Sequence, residues 1–172
     1  METETKRALW RWRIFSATWL SYAGYYFCRK AFWVAKEQLG VAHHWDAQLL
    51  GVLGSIYLGC YAVGQFIAGA AGTRWGPRLV LLAGMAVSVG AHVVLGVANG
   101  VGTFAVFIGL NGFAQATGWS NNVGTMGNWT SRSERGRIMG LWCTNFQVGG
   151  VLASGLAAFF LGTSLGFRWS FF

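Results

Sequence analysis

The sequence predicts an all-α membrane protein with about five transmembrane helices. Three observations predict it. Only 10% of the 172 residues are charged, while 54% are hydrophobic. A soluble domain carries about 25% charged residues, and it needs them to cover its surface. Apolar runs of about 20 residues, the length that crosses a bilayer, recur along the chain with short polar gaps between them. The chain also holds 26 Gly and 10 Trp, residues that membrane helices tolerate and that membrane interfaces collect, respectively. The length bounds the chain to a single domain.

The elements follow in order. The first helix spans about 12–34. Lys6, Arg7, Arg11 and Arg13 precede it as in a signal peptide, but the apolar stretch is too long for one and has no convincing cleavage site, so it reads as a retained helix. The second helix spans about 47–71, with Asp46 placed to cap it. The third spans about 78–97 and follows Pro77, which suits a first helical turn. The fourth spans about 101–127 and the fifth about 138–161. Residues 166–172 look like the start of a sixth apolar helix that is not completed.

The net charge is +8. A basic balance suits nucleic acid only where the charges cluster on one face. Here they sit between the apolar runs, so no nucleic-acid partner is expected. Lys6, Arg7, Arg11, Arg13, Arg74, Arg78, Arg132, Arg135 and Arg137 fall on one side of a five-span topology. Lys36 and Arg168 fall on the other. The positive-inside rule then puts the N-terminus in the cytoplasm, in an integral, multi-pass plasma (inner) membrane protein. Asn128-Trp129-Thr130 matches a glycosylation sequon but faces the wrong side, so the match is accidental.

Nothing in the sequence assembles an enzyme. The acids Glu2, Glu4, Glu37, Asp46 and Glu134 sit at ends or in loops, and no nucleophile has a positioned base. His43 and His44 are adjacent, so they do not share a helix face as metal ligands do. Cys28, Cys60 and Cys143 are scattered through apolar runs and read as hydrophobic fillers. No cofactor or metal is expected.

The sharpest feature is Arg29-Lys30 inside an otherwise apolar helix. An intramembrane charge costs about 2.5–3.5 kcal/mol on insertion scales and usually faces a cavity. Snorkelling to the headgroups is the competing reading. Periodicity favours the cavity, because Tyr22, Tyr25, Tyr26, Arg29 and Trp33 share one helix face, and Lys30 borders it. An arginine fork with tyrosine hydroxyls suits a phosphate or carboxylate. Tyr57, Tyr61 and Gln65 form a second polar stripe, and Asn111, Gln115, Trp119 and Asn122 a third. Asn145 and Gln147 add to the fifth helix. Each stripe suits either a shared polar cavity or hydrogen-bonded helix packing. Gly136, Gly140, Gly149, Gly150 and Gly155 offer small surfaces for helix contact.

Three stretches carry a family resemblance. Tyr22-Ala23-Gly24-Tyr25-Tyr26-Phe27-Cys28-Arg29-Lys30 resembles the first-helix signature of the organophosphate:phosphate antiporters, a branch of the major facilitator superfamily that includes glycerol-3-phosphate and hexose-phosphate transporters. Gly118-Trp119, Asn128-Trp129, Glu134-Arg135-Gly136 and Val148-Gly149-Gly150 resemble that family's fourth-to-fifth-helix region, and 69–78 resembles the superfamily's loop between helices two and three. The resemblance covers nearly the whole chain and only the N-terminal half-bundle of a twelve-helix fold. It implies that residues 1–172 are a truncated N-terminal domain that needs a missing C-terminal half with a symmetric arginine.

It further implies exchange of a phosphorylated organic anion, such as a sugar phosphate, for inorganic phosphate by alternating access. Arg29 matches the arginine that holds the phosphate. Lys30, Tyr22, Tyr25, Tyr26, Gln65, Tyr61, Trp119 and Asn145 would line the path. Thr73 replaces the loop's usual aspartate. Gln65 and Phe146 replace a lysine and a histidine of the glycerol-3-phosphate branch. These departures weigh against glycerol 3-phosphate as the substrate. A sugar-phosphate sensor of the same fold, or a truncated transporter without activity, are the alternative readings.

Overall fold

The computed structural model describes residues 2–163 and 166–172, and among these it contains helices but no strand. The elements are α1 (Glu2–His43), α2 (Ala47–Trp75), α3 (Pro77–Val97), α4 (Val101–Trp129), α5 (Arg135–Trp142), α6 (Thr144–Leu161) and a 3-10 turn (Phe167–Phe171).

α1 is longer than the sequence reading. It has 42 residues, roughly 60 Å at the usual helical rise, against a hydrocarbon layer of about 30 Å. The basic tail contains good helix formers and no proline, so nothing stops the helix before the chain start. Its other end is fixed by His44, whose φ of 57° lies in the left-handed region. There the Trp45 N–H donates to the Gly40 carbonyl at 2.9 Å. Asp46 caps α2 as expected: its Oδ1 accepts the Leu49 N–H at 2.7 Å. Gly76, with φ of 86°, turns the chain into α3, and Pro77 is the first residue of that helix.

α4 is the central helix, packed against α2, α3 and α1. Glycines set its contact with α2. A Cβ on Gly112 would lie 2.4 Å from the Tyr57 carbonyl oxygen, and one on Gly64 would lie 2.8 Å from the Ala116 Cβ. The two backbones therefore touch, as small residues permit in membrane helices. α6 meets α1 in the same way, with Gly149 against the backbone of Ala23. The expectation that Gly136, Gly140 and Gly155 also make contact surfaces is corrected, because an added Cβ there would meet nothing within 4 Å.

The expected fifth helix is divided at Cys143 into α5 and α6. Two side chains hold the interruption. Thr144 Oγ1 donates to the Leu141 carbonyl at 2.8 Å, a local bond that competes with the helical ladder. Trp142 is fully buried and its Nε1 donates to Thr18 Oγ1 at 3.0 Å. Residues 166–172 form the 3-10 turn in place of a regular helix start. It is tied back by Arg168, which donates to the Gly96 carbonyl at 3.1 Å and to Asn99 Oδ1.

Three stretches are long and apolar enough to cross a membrane among the described residues: Ala47–Trp75, Pro77–Val97 and Arg135–Leu161. α1 and α4 are long enough, but polar residues dilute them, and some of these meet in the interior, Tyr25 with Thr117 and Ser21 with Asn122. Phe66, Val63, Val151 and Phe159 point outward and are exposed, an apolar surface that suits lipid. The helix ends sort by charge. Arg11 meets Glu134 at one end. His43, Trp45 and Phe104 stack together at the other, with Phe167 against His43.

Candidate functional site

Arg29 turns into the bundle, where three tyrosine rings surround its guanidinium. The guanidinium carbon lies 4.7 Å from the centre of the Tyr26 ring, 5.1 Å from Tyr61 and 5.8 Å from Tyr22. Tyr22 and Tyr26 come from α1, about two turns and one turn before Arg29 respectively, and Tyr61 comes from α2. The faces of such rings are negative and attract a cation, more strongly where water is excluded. Nη1 donates to the Tyr26 hydroxyl at 3.3 Å, and Nε donates to Gln115 Oε1 at 3.3 Å. The remaining nitrogen, Nη2, is buried and has no hydrogen-bond partner. The Tyr57 hydroxyl is buried as well; it makes no hydrogen bond of good geometry, and it lies close enough to Arg29 to interact with its charge. The snorkelling reading therefore fails in this arrangement. The Arg29 head stays among side chains of α1, α2 and α4.

Gln115 is held from several directions. Its Nε2 donates to Ser88 Oγ at 2.9 Å and to the Tyr25 carbonyl at 3.1 Å. Ser88 Oγ donates in turn to Asn111 Oδ1 at 2.6 Å, and Asn111 Nδ2 donates to the Cys28 carbonyl at 3.2 Å. This network joins α1, α3 and α4 directly. Asn122 reaches Ser21 on α1 at 3.3 Å. Of the two readings left open for the α4 stripe, hydrogen-bonded packing describes Asn111 and Asn122. Gln115 packs helices through one end of its amide and meets Arg29 with the other.

The other expected site residues divide. Tyr25 is buried but turned toward α3 and α4, where its hydroxyl donates to the Leu81 carbonyl at 3.0 Å and shares a 2.7 Å bond with Thr117. Lys30 runs along α6, its Cε 3.7 Å from where a Cβ on Gly150 would be. Gln65 is half-buried one turn beyond Tyr61. Trp119 is one turn beyond Gln115 and stacks obliquely on Tyr22 at 5.6 Å and on Trp142 at 5.9 Å. Asn145, at the start of α6, is wholly buried, and neither atom of its amide has a partner. Trp33 packs instead against Tyr57 and Gly54 on α2.

Sequence reasoning missed two contributors. Ser88 is a single hydroxyl in a very apolar helix, and no pattern marks it. Tyr57 was visible in the α2 stripe, but only its position beside Arg29 makes its free hydroxyl notable. Among the described residues, no group of His, Cys, Asp and Glu is placed to hold a metal.

Comparison with known proteins gives a consistent neighbourhood. The chain is 31% identical over 156 residues to a Chlamydia pneumoniae protein named "Probable hexose phosphate transport protein", covering 91% of this chain and 34% of that one. It is 34% identical over 146 residues to a glycerol-3-phosphate transporter of Haemophilus influenzae, covering 83% of this chain and 30% of that one. It is 36% identical over 124 residues to a human glucose-6-phosphate exchanger, covering 69% of this chain and 23% of that one. The chain thus spans about a third or less of the length of these relatives. No solved structure gives a significant match. The profile described as Major Facilitator Superfamily matches residues 18–172, which includes the Arg29 cage and every helix from α2 onward, and the chain belongs to that superfamily.

Proposed function

We propose that this chain forms one wall of the path of a transporter that exchanges a phosphorylated organic anion, of the sugar-phosphate class, for inorganic phosphate. The observation that carries the reading is Arg29: an inward-facing guanidinium, caged by Tyr22, Tyr26 and Tyr61, with one terminal nitrogen buried and unpartnered. A buried donor on a cation is costly to leave unmade. A phosphate oxygen would satisfy it, and the Tyr57 hydroxyl beside it offers a second bond. The relatives named as hexose-phosphate, glycerol-3-phosphate and glucose-6-phosphate carriers support the substrate class.

In this reading a second half, absent from residues 1–172, faces the Arg29 wall and closes the site. The two halves rock around the bound anion, so that the site opens to each side in turn. The expected orientation has the N-terminus in the cytoplasm, with the basic loops on that side of a plasma or inner membrane. Lys30 supplies a second positive charge near the path, and Asn145 a free amide on the α6 wall.

The test is binding of radiolabelled sugar phosphate to the chain in nanodiscs, with inorganic phosphate as competitor. Arg29→Lys is expected to weaken binding at least about tenfold, because a point charge cannot reproduce the guanidinium fork. Equal affinity in wild type and Arg29→Lys would sink the assignment.

A further inference from the structure

We infer that Gln115 is a positioning residue, which aims the Arg29 guanidinium at its anion and is itself locked by Ser88. The inference rests on the phosphate-binding role proposed for Arg29 and adds the device that sets its geometry. An arginine head on a long, flexible stem loses much of its value as a two-pronged donor unless its rotation is fixed. Here the Nε–H is spent on Gln115 Oε1 and one Nη1–H on the Tyr26 hydroxyl, which leaves Nη2 as the nitrogen with both of its donors free. The acceptor that sets this choice cannot swivel. The Gln115 amide nitrogen is held by two acceptors, Ser88 Oγ at 2.9 Å and the Tyr25 carbonyl at 3.1 Å. With the nitrogen fixed, the oxygen has only one direction to point.

The lock extends one step further. Ser88 passes its own proton to Asn111 Oδ1, so its oxygen is free to accept from Gln115. Each member of the chain has one direction of donation, and reversing any of them would leave a buried donor or acceptor unmet. Gln115 is fully buried and Ser88 nearly so. The orientation is therefore built in before any anion arrives, and α3, which does not touch the Arg29 cage, contributes to it through Ser88. The sequence carries no charge in this relay other than Arg29 itself. This neutrality matters, since an anionic partner at Gln115 would occupy the cation and repel a phosphate.

That last point supplies the test. Gln115→Glu is isosteric and carries a titratable group. When protonated it accepts from Arg29 as Gln115 does; when ionised it competes with the anion. His92, bonded to the Ser88 carbonyl, is common to both proteins, and any contribution from it is removed by comparison with wild type. Binding of inorganic phosphate to the chain in nanodiscs is measured from pH 8 down to pH 5. The expected result is binding about tenfold or more weaker than wild type throughout this range, because the adjacent guanidinium keeps the carboxylate ionised. Gln115→Leu is expected to be weak at every pH.

A second readout does not depend on anion binding. The Arg29 Nε–H resonance, in protein labelled with 15N-arginine, is expected to exchange slowly with water in wild type and quickly in Gln115→Leu. If wild type binds no phosphate, the Arg29 assignment fails, and this exchange measurement alone decides the relay. Unchanged exchange in Gln115→Leu overturns the relay. So does wild-type phosphate affinity in both variants at all pH values while Arg29→Lys loses it.

Discussion

At the scale of single residues, the chain's chemistry depends on a few side chains whose neighbours come from other helices. Arg29, Tyr22 and Tyr26 were legible, because spacings of three and four put them on one face of α1. Tyr61 was legible by the same rule on α2. Tyr25 shows where the rule stops. It lies one position from Tyr26, and a turn of 100° around the axis is enough to send it to Thr117 and Leu81 instead. The partner that decides this lies 92 positions away in the chain, and no local pattern contains it.

Glycines show the same limit and give a test. A Cβ at Gly112 would press on the Tyr57 carbonyl at 2.4 Å, whereas one at Gly140 would meet nothing. Gly112→Ala is therefore expected to destabilise the protein by about 1–3 kcal/mol through overpacking. Gly140→Ala, inside a helix and in open space, is expected to be neutral or to stabilise by up to about 1 kcal/mol. Thermal unfolding in detergent, followed by far-UV circular dichroism, reads both. A fall in Tm for Gly140→Ala equal to that for Gly112→Ala would refute the packing account.

At the scale of elements, helix existence was legible and helix ends were less so. Asp46 and Pro77 marked the starts of α2 and α3 because capping and the fixed proline φ are local chemistry. The true start of α1 and the break at Cys143 were not legible. The first needs the basic tail to prefer helix over coil. The second needs Thr18 on α1 to receive Trp142. One contact between elements carries a pH dependence. Arg11 Nη1 on α1 donates to both carboxylate oxygens of Glu134, at 2.8 Å and 3.0 Å, and the Ser131 N–H donates to Oε1 at 3.1 Å.

The Ser131 N–H first, and then Arg11, hold the Glu134 carboxyl below its ordinary value of 4.5. A lowered value in the folded state means that the contribution is present above the ordinary value and is lost as pH falls through the lowered one. The group is exposed, so the effect is small and sensitive to salt. Wild type is expected to melt slightly above Glu134→Gln at pH 7 and low salt, with the two Tm values converging below about pH 4.5 as linkage requires. A gap that persists at acid pH would show that the ion pair is not its source.

At the scale of the whole molecule, the fold is a bundle whose polar residues are turned inward at one seam and whose apolar residues are turned outward. The α1–α4 seam helps explain why, among the described residues, α1 and α4 are not among the three stretches that meet a simple apolar criterion for crossing a membrane. The two central helices carry the side chains that do chemistry, and they are shielded by the others. The same arrangement separates the basic loops. Arg11, Arg78 and Arg132 belong to the end where α1 begins, and Ala42 and Trp45 to the opposite end. If the positive-inside rule governs insertion, the first end faces the cytoplasm. Ala42 and Arg132 are both exposed at their ends and make good reporters. In a background with Cys28, Cys60 and Cys143 replaced by Ser, Ala42→Cys in intact cells is expected to react with a membrane-impermeant maleimide. Arg132→Cys is expected to react only after the membrane is opened. The opposite pattern would invert the protein, and would place the Arg11–Glu134 end, with its surplus of arginine, on the outer surface against the charge bias of the loops.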